Sequence, residues 1–481
     1  MSILTNGNGT ILDSILATTS TADTCNVIDI CRTRYTIVWS SLVTILACVW
    51  TAVHRNVPAP KRDGELQFWR IVGGVLGTVR IVVVTVLVPE WVLAWAVRQF
   101  LSARDVGHEL EEARGEAKKK WEAKQETLKG MTPSRHGEGL VTGEQPQTTA
   151  NATSAEADSS GEKLEGRQVA YDDSTVAVNE NTGRMRGKWT ARHGFAVVMG
   201  GFHYYALGEP KHPLSRDDIV KLVASGEVVP PTDEEIRNWS QSDVLSKTLA
   251  VVQTLWFIVQ AIARHIEGLS ITQLEIMTLA YTVITVAMYV AWWDKPQSVG
   301  GPVRIAVKKL PEPNQVDKVE WYEHIYNVVS GGQDRFVDLR KERRVPTFYG
   351  GSTDDGNGIS ADLVALVAAM AFGAVHCAAW HYDFPSDAEK LIWRVSSLAI
   401  VALPAAIFAL IPLLVIIAST SPNSTLELVF VVIFALVFAV SAPLYIAARS
   451  LLLALSFSTL RSLPPEAYRA VQWTLRIPHF T

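Results

Sequence analysis

The stretch "AFGAVHCAAWHYDFP" (371–385) holds the side chains best suited by type to bind a metal or move a proton, namely His376, His381 and Asp383. Imidazole nitrogens and carboxylate oxygens are common zinc and non-haem iron ligands. The spacing argues against that chemistry. On a helix His376 and His381 point in different directions, and this stretch has no HxxxH or HxxE spacing. The alternative gives His376 an interhelical hydrogen bond and makes residues 380–382 an aromatic membrane edge. Ala365, Ala369, Gly373 and Cys377 recur at every fourth position, a stripe that lets another helix backbone approach closely. His376 borders that stripe and is read as a packing residue.

Arg80 sits inside an apolar run. A guanidinium there costs at least about 2.5 kcal/mol unless it pairs or reaches water. Glu90 lies too far along the same helix for an i,i+4 pair, so any partner comes from another helix. Structural pairing or snorkelling stands beside a transport or gating role for this residue. Nearby Gly73 and Gly77 form a GxxxG pattern of the kind that marks helix packing. In the third apolar run Gln253, Trp256, Gln260, Arg264 and Glu267 share one face, and in the fourth Thr278, Thr282, Thr285 and Tyr289 do so. These two helices are expected to hydrogen-bond to each other across a short loop, as polar glue or, alternatively, as the lining of a solute path.

Other motifs are weaker. Thr272-x-x-Glu275 is a capping box at a helix entrance. "HGFAVVMGGFHYYAL" (193–207) lacks both GxGxxG and GxxxxGK[ST], so its glycines are read as permitting tight packing at the membrane face. Neither G-x-S-x-G nor HExxH nor CxxC occurs, and the four cysteines (Cys25, Cys31, Cys48, Cys377) form no zinc-like cluster. A Cys25–Cys31 bridge stays open. An enzyme is disfavoured, and no catalytic residue, metal ligand or cofactor is assigned.

The elements that must hold these residues follow from hydropathy. The chain has 481 residues and a formal net charge of -4, with its apolar residues gathered in blocks. The near-neutral balance excludes a general nucleic-acid binder. A spanning helix needs about 20 mainly apolar residues. Stretches near 35–53, 71–97, 247–263, 274–293, 362–380, 392–419 and 425–447 qualify, the second being over-long with a Pro89–Glu90 break. The expected fold class is an all-α integral membrane protein, a bundle of about seven transmembrane helices with two long extramembrane loops, one largely disordered.

The organisation expected is an N-terminal extramembrane segment (1–34), the first two membrane segments (35–98), a charged helix (99–129), a disordered insert (130–188) and a small helical extramembrane region (189–246). Spans three and four (247–293), a second loop lying over the bundle (294–361), spans five to seven (362–447) and an interfacial C-terminal segment (448–481) complete it. The insert is Gly/Ser/Thr/Glu-rich and cannot bury enough apolar surface to fold. Within the charged helix, residues 103–129 carry opposite charges three and four apart and suit either solvent or a partner. Ser215 is a candidate N-cap, and Thr232 with Glu235 matches a capping box.

Basic residues at 98, 104, 247, 295, 304, 308 and 309 favour placing both long loops in the cytosol. No cleaved signal peptide is read at the N-terminus. Its side stays open, because the "NGT" sequon at Asn8 suits an outside N-terminus and the second apolar run could cross once or re-enter.

Several stretches together resemble a family of multi-pass integral membrane proteins of filamentous fungi: "ACVWTAVHRNVPAP" (47–60), "VPEWVLAWAVRQ" (88–99), "WTARHGFAVVMGGF" (189–202), "ITQLEIMTLAYTVITVAMYVAWWDKP" (271–296), "GAVHCAAWHYDFPSDAEKLIWRVSS" (373–397) and "SFSTLRSLPPEAYRAVQWTLRIPHF" (456–480). The resemblance implies the architecture and no activity. The function expected is that of a membrane scaffold whose partners are the lipid bilayer and a cytosolic protein met by residues 103–129 and the insert. A small-solute transporter or channel is the alternative. Organelle and oligomeric state are left open.

Overall fold

A computed structural model describes residues 31–61, 66–131, 187–239, 244–297, 299–307, 310, 337–351, 355–420 and 424–472. Most of the insert, Cys25 and Asn8 lie outside the described residues, so the disorder and disulfide expectations are not addressed by them.

Three helices come before the insert: α1 (Arg34–Ala52), α2 (Gln67–Leu87) and α3 (Pro89–Met131). After it come α4 (Ala191–Val198), a hairpin of β1 (Phe202–Ala206) and β2 (Glu209–Pro213), α5 (Arg216–Ala224), α6 (Asp233–Trp239), α7 (Val244–Ile266) and α8 (Gln273–Ala291). A short β3 (Val303–Ile305) precedes α9 (Asp355–Cys377), α10 (Asp387–Thr420) and α11 (Ser424–Ser458). Seven helical segments among these are long and apolar enough to cross a membrane. The result is an all-α membrane bundle with a small folded region on one end.

Local sequence starts many of these helices. The Thr33 side chain accepts from Thr36 N at α1, and capping boxes at Ser215–Asp218 and Thr272–Glu275 open α5 and α8. Thr232 and Glu235 exchange the two bonds of a third box, at 2.6 and 3.1 Å, before α6.

The path of α2 and α3 settles the over-long second run. Arg55, three residues past α1, hydrogen-bonds Thr78 of α2. The Tyr281 hydroxyl, near the midpoint of α8, donates to Val86 O close to the end of α2. The chain breaks at Val88 (φ -143°, ψ 63°), and Pro89 starts α3 at N1, where a missing N–H is harmless. Gln99 Nε2 then donates to Asn56 Oδ1 at 2.9 Å, back beside the end of α1. Residues 90 to 99 rise about 13 Å along a helix, roughly half of a bilayer core. The α2–α3 pair is therefore a re-entrant hairpin that enters and leaves at one end of the bundle.

The other six apolar segments run between the two ends of the bundle, and the chain ends agree with an even number of such passes. Arg32 N donates to Tyr468 O at 2.7 Å, and Cys31 bridges to Arg469, so the two described termini share the end opposite the long loops. We call these the terminal end and the loop end.

At the loop end α3 continues unbroken past residue 98. Its Val106, Leu110 and Ala113 are buried with Trp189, Val197, Phe202, Ile219 and Leu222 in a separate small core. This region contains strands as well as the expected helices. β1 pairs antiparallel with β2 through a turn in which Leu207 and Gly208 have φ of 55° and 79°, and parallel with β3 from the second loop. β3 falls in the β-like piece "PVRIAVKKL" of the second loop, but it lies about a hundred residues downstream of β1, so local pattern did not reveal the pairing. Gly194 explains the close crossing of α4 on α3, since a Cβ there would lie 1.8 Å from Ala103 O.

The last helix also differs from expectation. The seventh run does not end at 447 with an interfacial piece beyond it; α11 continues to Ser458 and carries Arg449 inside the bundle. A buried arginine looks like a span end until its partner is known.

Candidate functional site

The re-entrant tip brings charge to the middle of the bundle. Glu90, in the first turn of α3, meets Arg449 of α11, with Arg449 Nη1 3.2 Å from Glu90 Oε2. The same Nη1 donates to Tyr445 Oη at 3.2 Å. The guanidinium lies over the Phe372 ring, its carbon 3.6 Å from the centroid, and 5.5 Å from that of Tyr281. Thus α3, α8, α9 and α11 each supply a member. Position in the first turn suits the carboxylate electrostatically, because the N-terminus of a helix carries partial positive charge. A buried pair of this kind costs desolvation, and removing one member leaves an uncompensated charge.

A second polar centre closes the loop end. Lys295 is 2 % exposed, and its Nζ donates to His54 O, to Asn56 Oδ1 at 3.3 Å and to Gln99 Oε1 at 2.7 Å. The indoles of Trp95 and Trp292 lie 4.9 and 4.8 Å from the ammonium. Trp95 Nε1 and Gln99 Nε2 both donate to Tyr349 O, at 2.9 and 2.7 Å, which pins the second loop over the bundle. No carboxylate contributes to the shift of Lys295, and burial holds its pKa well below the ordinary lysine value. Three of its N–H bonds are answered, so desolvation alone opposes the charge. The basic residue expected at a membrane edge is in fact an internal fastener.

The terminal end has its own clasp. Arg264 donates to the carbonyls of Ser270, Glu466 and Arg469, at 2.5, 3.2 and 2.6 Å. Arg32 pairs with Glu275, whose Oε2 also accepts from Thr272 N at 2.8 Å. These bonds tie both described termini to the α7–α8 turn.

The residues singled out from sequence fall into three groups. Thr278, Thr282 and Thr285 are buried and donate to carbonyls of their own helix, Leu274 O, Leu279 O and Tyr281 O. Gln253 Nε2 donates to Thr44 Oγ1 of α1 at 3.2 Å, Thr254 Oγ1 lies 3.1 Å from Cys48 Sγ, and Tyr289 bonds Thr51. The seam between α7 and α8 is thus mostly taken up by α1, while Gln260 is half-buried. Sequence spacing shows which face is polar but not which neighbour meets it.

His376 is fully buried between Phe372 and Trp393, with ring centroids at 4.6 and 5.8 Å. Its Nδ1 donates to Phe372 O at 2.7 Å, and Trp393 Nε1 donates to His376 O at 3.1 Å. His381 is exposed and does not join it. The small-residue stripe performs as expected, because a Cβ on Gly373 would lie 2.7 Å from Val401 of α10. Among the described residues no group of three or more His, Cys, Asp or Glu converges for a metal.

Arg80 is exposed on α2. Gly73 and Gly77 also face open space, with nothing within 4 Å of an added Cβ, so their GxxxG pattern packs against no helix among the described residues. His193 accepts from Thr190 N through Nδ1 at 3.1 Å and donates through Nε2 to Pro231 O at 2.8 Å, a capping role.

Arg449 and Lys295 were missed as centres. Glu90 gave a signal, since an acidic residue in an apolar run requires a basic partner, but Arg449 is 359 positions away. No curated protein and no solved structure matches the chain. A family model, described as a family of unknown function (DUF8562), matches residues 11–140, 161–315 and 358–480. With most of its length matched and its re-entrant hairpin, charged core and loop-end cap in view, the chain belongs to this family of unknown function, DUF8562.

Proposed function

We propose that this protein is a multi-pass membrane scaffold that displays one rigid helix to protein partners on the loop side. The observation behind the reading is the continuity of α3: it starts at the buried Glu90 cluster, packs through Val106–Ala113 on the small folded region and then projects beyond it. Its outer turns are solvated and charged, with Lys118–Glu122 and Lys120–Glu116 pairs at 3.7 and 4.0 Å. Exposed pairs add little stability, about 0.3–0.5 kcal/mol each, so they leave the surface free to exchange partners. The excess of basic residues at the loop end favours the cytosol for this side, which sets the termini on the opposite side. A fungal origin, suggested by the sequence resemblance, belongs to the same reading.

Deletion of residues 118–131 tests it, because 103–117 is needed for folding and must stay. Proximity biotinylation from the loop end, beside localisation, is expected to lose a defined set of partners while the protein still unfolds cooperatively. Unchanged partners and localisation would remove the scaffold reading. A solute path along Gln253, Gln260 and Arg264 has less support, since α1 and the C-terminal segment occupy much of that face.

A further inference from the structure

α10 and α11 are much longer than the bundle they join. They measure about 51 and 52 Å along the helix, whereas α1 and α8, with 19 residues each, measure about 28 Å. Three contacts fix where the excess lies. Glu389 of α10 accepts from Ser458 and from Arg461, both at 2.7 Å, which holds the base of the hairpin at the terminal end. Arg449 meets Glu90 at mid-bundle, about 14 Å along α11 from Ser458. Gln99, beside Asn56 at the loop end, is about 13 Å along α3 from Glu90. Together these intervals match a hydrocarbon core of about 30 Å. Beyond Arg449, however, α11 reaches about 37 Å to Ser424. Tilt does not absorb the difference: at about 40°, the upper end for membrane helices, that arm still rises about 28 Å against a half-core of about 15 Å.

The arm is apolar throughout. Between Arg394 and Arg449 the sequence has a single charged residue, Glu427, and its polar run "STSPNST" (419–425) lies at the turn of the hairpin. Leu398, Leu413 and Ile416 are exposed on one stripe of α10, and Val432, Leu436 and Leu444 on one stripe of α11. Neither stripe changes character where it passes the level of Gln99, so the medium covering the inner half suits the outer half as well. The opposite case is α1, whose exposed Tyr35 and Trp50 stand about 22 Å apart along the helix. Such rings settle at the two headgroup levels.

We propose that acyl chains cover the α10–α11 hairpin over its whole length, so that the protein recruits long-chain phospholipid beside it in the loop-side leaflet and keeps a thinner bilayer beside α1. Membranes rich in long chains then hold the protein best, because they relieve the mismatch at the hairpin.

The test uses the full chain in vesicles of mixed long-chain and short-chain phosphatidylcholines. A fluorophore is placed on one cysteine in a cysteine-free background, at the exposed positions Val432→Cys on α11 or Leu46→Cys on α1. Bromine on the acyl chains of one lipid or the other quenches the fluorophore on contact, and iodide quenches it from water. Acyl-chain bromine is expected to act at both positions and iodide at neither. Long-chain lipid is expected to be enriched about twofold or more beside position 432 relative to position 46. Strong iodide quenching at position 432 would overturn the proposal by placing the arm in water. Resistance there to both quenchers would overturn it too, since a second copy of this chain or another protein would then cover the arm. Equal lipid ratios at the two positions would remove the thickness difference and with it the recruitment of long chains.

Discussion

Replacing Lys295 by methionine offers a test of how burial and hydrogen bonding balance at the loop end. The ammonium is bonded to three neutral oxygens and flanked by two indoles, with no carboxylate contributing to its shift. In the unfolded chain a lysine titrates near 10.4. Burial lowers the folded value, so between that depressed pKa and about 10.4 the unfolded state binds more protons, and stability rises with pH. The slope reaches about 1.4 kcal/mol per pH unit where the two states differ by one proton. Below the depressed pKa both states hold the proton, and the penalty is constant. Lys295→Met removes this titration but leaves His54 O without its ammonium donor, at about 1–3 kcal/mol. Unfolding of wild type and variant, followed by tryptophan fluorescence from pH 6.5 to 9.5 in one detergent, is expected to show the difference moving in favour of wild type as pH rises. A flat difference would mean that the oxygens and indoles fully compensate desolvation. A difference moving the other way would mean that they raise the lysine pKa, and either result would refute the reasoning.

Three further perturbations address the fold. In a cysteine-free background, single cysteines at Leu66 and Glu112 are expected to react with an impermeant thiol reagent from one side, and a cysteine at Gln472 from the other; labelling of positions 66 and 472 from the same side would refute the re-entrant hairpin. Arg449→Gln alone is expected to lose about 3–5 kcal/mol by stranding Glu90, and the double variant with Glu90→Gln to lose clearly less, measured by denaturant titration as a double-mutant cycle. Additive losses would show that the two charges do not interact. Gly194→Ala is expected to cost about 1–3 kcal/mol and to detach α4 from α3, read as faster proteolysis of the 187–228 region, because its Cβ would enter the Ala103 carbonyl.

The positions of the apolar helices, though not the extent of α11 or the turn-back of α2 and α3, were legible in the sequence, because hydrocarbon demands a self-satisfied helix wherever it is crossed. Helix starts at Ser215, Thr232 and Thr272 were legible for a local reason: donor and acceptor lie three residues apart. The Gly373 stripe was readable as a close contact, though not as a contact with α10.

What the tertiary structure alone decided is where polar groups meet. Arg449 resembles a span end, and Lys295 a membrane-edge charge, until partners from distant segments enclose them. The α2–α3 run has the composition of a crossing, yet its bonds to Arg55, Tyr281 and Asn56 turn it back. Gln253 and Tyr289 bond to α1 instead of to each other's helices. Periodicity specifies which face of a helix is polar, but the choice of neighbour depends on packing the whole bundle, where a charge is tolerated only beside the group that compensates it.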